Sequence, residues 1–315
     1  MLTARPQVDS RFLSWFAQSD PFIEEVVAHS VGVSYPAISP SDLARLPVPT
    51  LDLPAQRAIA EFLDAETARI DALIAKKCKL VQLLETRFQR EIDHVMDSFD
   101  SSEAALGRFV LELGQGSSLQ AGSRPADGEE WGVLKLSAVK FGRYDPRENK
   151  VLAKQPEELP MVPQVGDLLV TRSNTPAYVG DVAAVVHTTA RNMLPDLIYR
   201  LRLDSARMSA EFVSYTLPTS RSRHRISALA RGSSQSMVKL RGEDIRSLPV
   251  PVVTPSVQER TVASLERRRR QKSEISSKLD QQIALLVEHR QALITAAVTG
   301  EIGVPEVAVL HGLGR

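Results

Sequence analysis

A single cysteine, Cys78, stands in 315 residues, so no internal disulfide can form, and a lone thiol fits a reducing compartment. Excess charge of one sign is also missing. The 39 Lys and Arg offset the 38 Asp and Glu to a net +1, which gives no global pull toward nucleic acid or lipid. No apolar run approaches the ~18 residues of a membrane-spanning helix. The opening MLTARPQVDS lacks the apolar centre of a secretion signal. A soluble intracellular chain is expected. With 43% hydrophobic and 24% charged residues it is not wholly disordered, and its length suggests two domains with a helical appendage.

Enzyme signatures are absent as well. No G-x-x-x-x-G-K-[ST] phosphate loop occurs, and no Asn-Pro-Pro-aromatic segment of the kind amino-methyltransferases use to hold a flipped adenine. The six histidines show no metal-ligand spacing, and Cys78 lies among lysines. The carboxylate pair Glu243-Asp244 sits at a helix or turn start, where capping explains it. Catalysis by this chain is not expected.

What the sequence does have is an internal repeat. Asp42-Leu-Ala-Arg-Leu-Pro-Val-Pro49 recurs as Asp244-Ile-Arg-Ser-Leu-Pro-Val-Pro251, an offset of 202. The register holds without a gap through Gln56 and Gln258, Leu63 and Leu265, Leu84 and Leu286, Gln89 and Gln291, and Ile92 and Ile294. Further upstream the offset becomes 200, where Phe12-Leu-Ser-Trp15 matches Phe212-Val-Ser-Tyr215. Residues 12–96 and 212–298 are two copies of one unit. They are unequal, because strand-like sequence of roughly a hundred residues precedes the second copy and almost nothing precedes the first.

After Pro54, apolar positions recur at Ile59, Leu63, Ile70, Leu73, Leu80 and Leu84. The later copy repeats the theme with Val262, Leu265, Leu279, Ile283, Leu286, Leu293 and Ala297. Neither segment is interrupted by Pro or Gly, so each supports a helix of about 43 residues, ~65 Å long at 1.5 Å per residue. Spacing of 3 and 4 over this length specifies a coiled-coil seam. Pairing the two with each other, antiparallel, is the simplest arrangement, and it would place the attached globular parts at opposite ends. The Leu-Pro-Val-Pro lead-ins form stiff extended elbows, since proline fixes its own φ and biases its neighbour away from the helix. The run Arg267-Arg-Arg-Arg270 is open to either phosphate contact or pairing with carboxylates.

Residues 104–250 alternate short apolar runs with Gly, Pro and Asp. Strands are expected in Trp131–Leu136, Gly166–Val170, Val179–Val186 and Leu197–Leu203, and helices in Glu211–Leu217 and Arg221–Leu229. The segment carries 20 Lys and Arg against 15 Asp and Glu, net +5, whereas residues 51–98 carry net −2. A modest basic surface of this kind suits phosphate contact. Thr171-Arg-Ser-Asn-Thr175 leaves an apolar strand directly, and Arg231-Gly-Ser-Ser-Gln-Ser236, with Lys239 and Arg241, reads as a flexible polar loop before the second elbow. Arg reads guanine, Asn and Gln read adenine, and Ser reaches either base or phosphate. The candidate DNA contacts are Arg143, Arg172, Ser173, Asn174, Thr175, Arg231, Ser233, Ser234, Gln235 and Lys239. No catalytic or metal-binding residue is nominated.

Several of these stretches resemble one family. Leu46-Pro-Val-Pro-Thr-Leu-Asp-Leu-Pro-Ala-Gln56 running into Ile59–Ile74, and Leu248-Pro-Val-Pro251 with Arg290–Gly300, are similar to the two long helices of type I restriction-modification specificity subunits. Gly166-Asp-Leu-Leu-Val-Thr-Arg-Ser-Asn-Thr175 with Val179-Gly180 resembles the strand-turn core of their target recognition domains, and Gly232–Met237 their DNA-facing loop. The resemblance implies an α+β fold in which one complete mixed α/β target recognition domain and a remnant of another are joined by two long antiparallel coiled-coil helices. Its boundaries would be a C-terminal remnant of a first recognition domain at 1–50, a first long helix at 51–98, a complete recognition domain at 104–253, a second long helix at 254–300 and a tail at 301–315.

The function implied is a non-catalytic subunit that reads a DNA site or half-site in the bacterial or archaeal cytoplasm and directs methylation and restriction to it. Its partners would be double-stranded DNA, methyltransferase subunits and a restriction/translocase subunit. It would hold no cofactor itself, S-adenosylmethionine, ATP and Mg belonging to the partners. The first copy lacks the front part of a recognition domain, including any counterpart of Gly166-Asp167 and Arg172. A half-type or truncated scaffold is therefore the alternative, reading DNA only with a second chain, through homodimerisation or a full-length partner.

Overall fold

The computed structural model describes residues 7–32, 35–99, 103–156, 160–188, 191–234 and 237–304. Helices α1 (Ser10–Phe16), α2 (Asp20–Ala28), α3 (Pro40–Leu43) and α4 (Leu53–Asp97) come first. Short strands follow: β1 (Glu103–Ala105), β2 (Val110–Gln115), β3 (Gly132–Leu134), β4 (Val139–Lys140), β5 (Arg143–Tyr144), β6 (Asn149–Val151), β7 (Leu168–Thr171), β8 (Ser173–Asn174), β9 (Val182–Ala184), β10 (Asn192–Met193) and β11 (Ile198–Leu203). The chain continues through α5 (Ala210–Thr216), α6 (Ser220–Leu229), β12 (Arg231–Ser234), β13 (Met237–Lys239), α7 (Gly242–Ser247), β14 (Pro249–Pro251) and α8 (Pro255–Thr299).

The repeat is a structural one. Helices α1 and α2 correspond to α5 and α6 at the offset of 200, while α4 and α8, each 45 residues, correspond at 202. The buried amides of Gln56 and Gln258 tie the copies to their helices in the same way. Gln56 accepts from Asp9 N–H at 2.8 Å and donates to Gln7 O and Leu51 O. Gln258 accepts from Ser209 N–H at 2.9 Å and donates to Arg207 O and Val253 O. Each amide thus pairs backbone groups that burial would otherwise leave unsatisfied. Trp15 Nε1 donates to Asp64, and at the matching place Tyr215 Oη donates to Glu266.

The chain divides into two compact units, residues 1–84 with 273–315, and residues 85–272. In the first, Phe12, Phe16, Ile59, Leu63, Ile294, Ala297 and Val298 share a core. Lys77 Nζ meets Gln282 at 2.6 Å and Asp71 meets Arg290 at 3.0 Å, so α4 and α8 run antiparallel there. In the second, Phe88, Ile92, Met96 and Leu265 join the strand-rich core around Phe212, Leu168 and Leu201. Glu85 pairs with Lys272 and Glu91 with Arg268, again antiparallel. Each unit therefore combines the start of one copy's helix with the end of the other's. Gln89 donates to Pro218 O, just as Gln291 donates to Gln18 O.

In α4 the expected positions Ile59, Leu63, Ile70 and Leu84 hold, but Leu73 and Leu80 do not. Leu63, Thr67, Ile70, Ile74, Lys77, Val81, Leu84 and Phe88 are buried or half-buried at spacings of 3 and 4, whereas Leu73 and Leu80 are 47% and 49% exposed. Both leucines lie one position before a seam residue, Ile74 or Val81, and a shift of one residue turns a side chain ~100° around the helix. In α8 the expected positions hold: Val262, Leu265, Leu279, Ile283, Leu286, Leu293 and Ala297 are all buried or half-buried.

Within residues 103–251 the central sheet has the order β2-β11-β7-β9, all antiparallel, and smaller sheets are β10-β3-β6, β12-β13-β8, β4-β5 and β1-β14. The second proline elbow is itself strand β14, paired with β1. Two local expectations are corrected. Residues 179–181 form a turn rather than the start of a strand, with Gly180 at φ +72° and Val179 N–H bonded back to Thr175 O. The polar segment from Arg231 is a strand that pairs antiparallel with β13.

Candidate nucleic-acid interface

The two polar segments singled out by composition meet in one sheet. Strand β13 lies between β12 and β8, with Val238 opposite Asn174 and Lys239 opposite Ser173. Thr171, the last residue of the buried strand β7, donates its N–H to Asp181 O at 2.8 Å. The chain then emerges as Arg172-Ser173-Asn174. Arg172 is clamped on both sides by its backbone, donating to Leu197 O at 2.8 Å and accepting from Leu240 N–H at 2.9 Å. Its guanidinium lies 5.8 Å from the Tyr199 ring centroid, and its Nε is shut off from solvent without a hydrogen-bond partner among the described residues. A buried donor left unpaired is costly, and it marks Arg172 as unusual among the residues of this sheet.

The other nominated residues are placed variously. Asn174 Oδ1 accepts from Thr175 N–H at 2.8 Å, leaving its amide nitrogen outside that turn, and Thr175 is exposed. Ser173 is fully buried with an unpartnered hydroxyl. Arg231 is held by Asp244 at 3.1 Å, and the same carboxylate caps α7 by accepting from Arg241 N–H. Lys239 is exposed. Ser233 and Ser234 lie in β12, and Gln235 lies outside the described residues. Arg143 is not in this sheet but in β5, exposed on the β4-β5 hairpin. Of the Arg267–Arg270 run, Arg268 pairs with Glu91 and Arg269 with Glu266.

Arg223 and Asp181, which composition did not single out, organise the turn that follows β8. Arg223 donates to Val179 O at 2.8 Å and Ala177 O at 3.0 Å, and its charge lies 3.8 Å from the buried Asp181. Burial pushes the Asp181 carboxyl up to about 6, against the opposing pull of Arg223, the Phe141 N–H and Lys140. The folded chain then keeps a proton that the unfolded chain releases near its ordinary value of 3.8. This stabilisation is complete below that value and is lost as pH rises through about 6. Asp181→Asn cannot ionise, so wild-type stability relative to this variant should fall between about pH 4 and pH 7 in urea titrations. A difference independent of pH would refute the burial-driven shift.

Among the described residues no group of three or more His, Cys, Asp and Glu could hold a metal ion, and no helix is long and apolar enough to cross a membrane.

No protein-family model matches the chain. Curated relatives do. The type I restriction enzyme EcoEI specificity subunit of Escherichia coli is 30% identical over 166 residues, covering 51% of this chain and 27% of that subunit. The EcoKI specificity subunit of Escherichia coli strain K12 is 24% identical over 320 residues, covering 95% of this chain and 67% of that subunit. The match therefore spans about a quarter of the EcoEI subunit and two thirds of the EcoKI subunit. Among solved structures, a chain from a study of complex assembly and conformational transition in a type I R-M system superposes with a TM-score of 0.70 at 18% identity. It covers 96% of this chain and 74% of that one, which establishes the shared fold.

Proposed function

We infer that this chain, a homologue of type I restriction enzyme specificity subunits, is the non-catalytic DNA-reading subunit of such a complex and directs methylation and restriction to its site. The observation that carries the reading is the three-stranded polar sheet β12-β13-β8. It brings two segments some 60 residues apart in sequence together beside the half-buried Arg172, whose backbone is bonded to Leu197 and Leu240. In this reading residues 104–253 are a target recognition domain, 1–50 the C-terminal part of another, and the helices at 51–98 and 254–300 carry them; 301–315 is a tail of which 305–315 lie outside the described residues.

Arg172 and Asn174 are the proposed base readers, with Ser233 and Ser234 of β12 as further candidates; Gln235, a candidate by sequence, lies outside the described residues. Thr175, Arg143 and Lys239, all exposed, are the proposed phosphate contacts, and Arg231, tied to Asp244, is proposed to hold β12 in place. Ser173, nominated with them by sequence, is fully buried and is not proposed to touch DNA. Guanidinium and amide groups give bidentate base contacts, whereas lysine acts as a point charge on phosphate. Methyltransferase and restriction/translocase subunits would supply S-adenosylmethionine, ATP and Mg, in the cytoplasm of a bacterium or archaeon.

The test is selection of bound duplexes by the purified full chain from a pool with a randomised core, followed by sequencing. Enrichment of one motif or half-site is expected. Recovered sequences indistinguishable from the input would overturn the reading.

A further inference from the structure

The β4-β5 hairpin turns through two residues, Phe141 and Gly142, both at positive φ, +49° and +72°. This backbone suits Asn-Gly, and a bulky aromatic residue at the first position is unusual and strained. The ring is nevertheless 53% exposed, so hydrophobic burial does not account for its presence. It meets the half-exposed Tyr178 edge-on at 5.9 Å, and Lys140 Nζ lies 5.5 Å from the Phe141 centroid and 4.8 Å from that of Tyr178.

Three further contacts hold the cluster in place. Asp181 accepts the strained Phe141 N–H from below, and Gly142 N–H donates to Val182 O at 2.8 Å. Arg223 fixes the backbone on either side of Tyr178. Tyr178 N–H in turn donates to Thr175 O at 3.0 Å, which makes the cluster continuous with β8 and Asn174. Arg143 extends into solvent beside it, and the carboxylate underneath is buried. Strain kept at an exposed site, with the surroundings fixing it, points to a binding role.

We propose that Phe141, with Tyr178 and Lys140, is an aromatic tip that contacts duplex DNA beside the base-reading sheet. Phe141 presses against base or sugar faces, while Lys140 and Arg143 meet the flanking phosphates. Cation and π-face together match a ligand that offers both stacked bases and anionic backbone. The inference rests on the DNA-reading assignment above and extends it to a second element of the domain.

Phe141→Gly is the informative variant, because glycine adopts the turn's φ freely and should leave folding intact or improved, a point that thermal unfolding checks. Equilibrium binding of the full chain to the duplex selected from the randomised pool, measured over a range of salt concentrations, is the readout. Phe141→Gly should bind about tenfold more weakly at every salt concentration, the size of one lost stacking contact, with the salt slope unchanged. Lys140→Gln should instead flatten the slope by about 0.9. Wild-type affinity in a folded Phe141→Gly chain, with Arg172→Ala weakened, would overturn the tip and leave the base-reading sheet standing. The same result together with loss of a protein partner would assign the tip to that partner. A chain that binds no duplex at all would sink both.

Discussion

Replacing Phe212 with alanine is expected to lower the stability of the chain by about 3–5 kcal/mol, the usual cost of deleting a fully buried aromatic ring. Phe212 is 0% exposed and packs edge-on against Phe99 at 5.8 Å, in the core that also takes Phe88, Ile92 and Met96 from α4 and Leu265 from α8. Its counterpart in the other copy, Phe12, is also 0% exposed, among Ile59, Leu63, Ile294 and Ala297. Phe12→Ala should therefore cost a similar amount, although the first copy's globular part is far smaller. Urea denaturation followed by helicity would give the magnitudes, and hydrogen exchange the location. Loss of protection should centre on α5 and the end of α4 for Phe212→Ala, and on α1 and the end of α8 for Phe12→Ala. Were Phe12→Ala nearly neutral, the residues around it would not form a core of their own.

That equivalence was legible in the sequence because the groups that impose it are few and chemically specific. A buried Gln amide placed to hold three backbone groups, an aromatic residue at 12 or 212 and a proline elbow are hard to exchange, so the register survives at these positions. The exact seam of α4 was less legible. Leu73 and Ile74 are both apolar, as are Leu80 and Val81, and periodicity alone does not choose between neighbours. The choice follows from the partner helix, which the local pattern of α4 does not contain.

The candidate interface was legible in part. Thr171–Thr175 and the segment from Arg231 stand out by composition, but strand β12, Arg-Gly-Ser-Ser, has no apolar alternation and so reads as a loop. It becomes a strand because β13 offers it backbone partners, and β13 in turn rests on β8. The pairing of Asp181 with Arg223, and of Phe141 with Tyr178, joins residues about 40 apart across different elements. Nothing local in the sequence signals either pair.

Arg172→Ala should weaken binding to the selected duplex by about 1–3 kcal/mol, roughly 5- to 150-fold, while changing affinity for unrelated duplex much less. The backbone of Arg172 is bonded on both sides, to Leu197 and Leu240, so truncating its side chain leaves the sheet intact and isolates the guanidinium. The two kinds of contact separate on conservative replacement. Arg172→Lys keeps the charge but not the planar fork, so it should retain the salt dependence of wild type and still lose discrimination at one base pair. If lysine restored discrimination in full, Arg172 would be acting on phosphate, and base reading would pass to Asn174 and the β12-β13 connection. If alanine weakened binding to all duplexes equally, the same conclusion would hold by a second route. Competition between the selected duplex and single-base-pair variants of it, measured for wild type, Arg172→Lys and Arg172→Ala, distinguishes these outcomes, because a lost base contact removes preference at one position and a lost phosphate contact removes none.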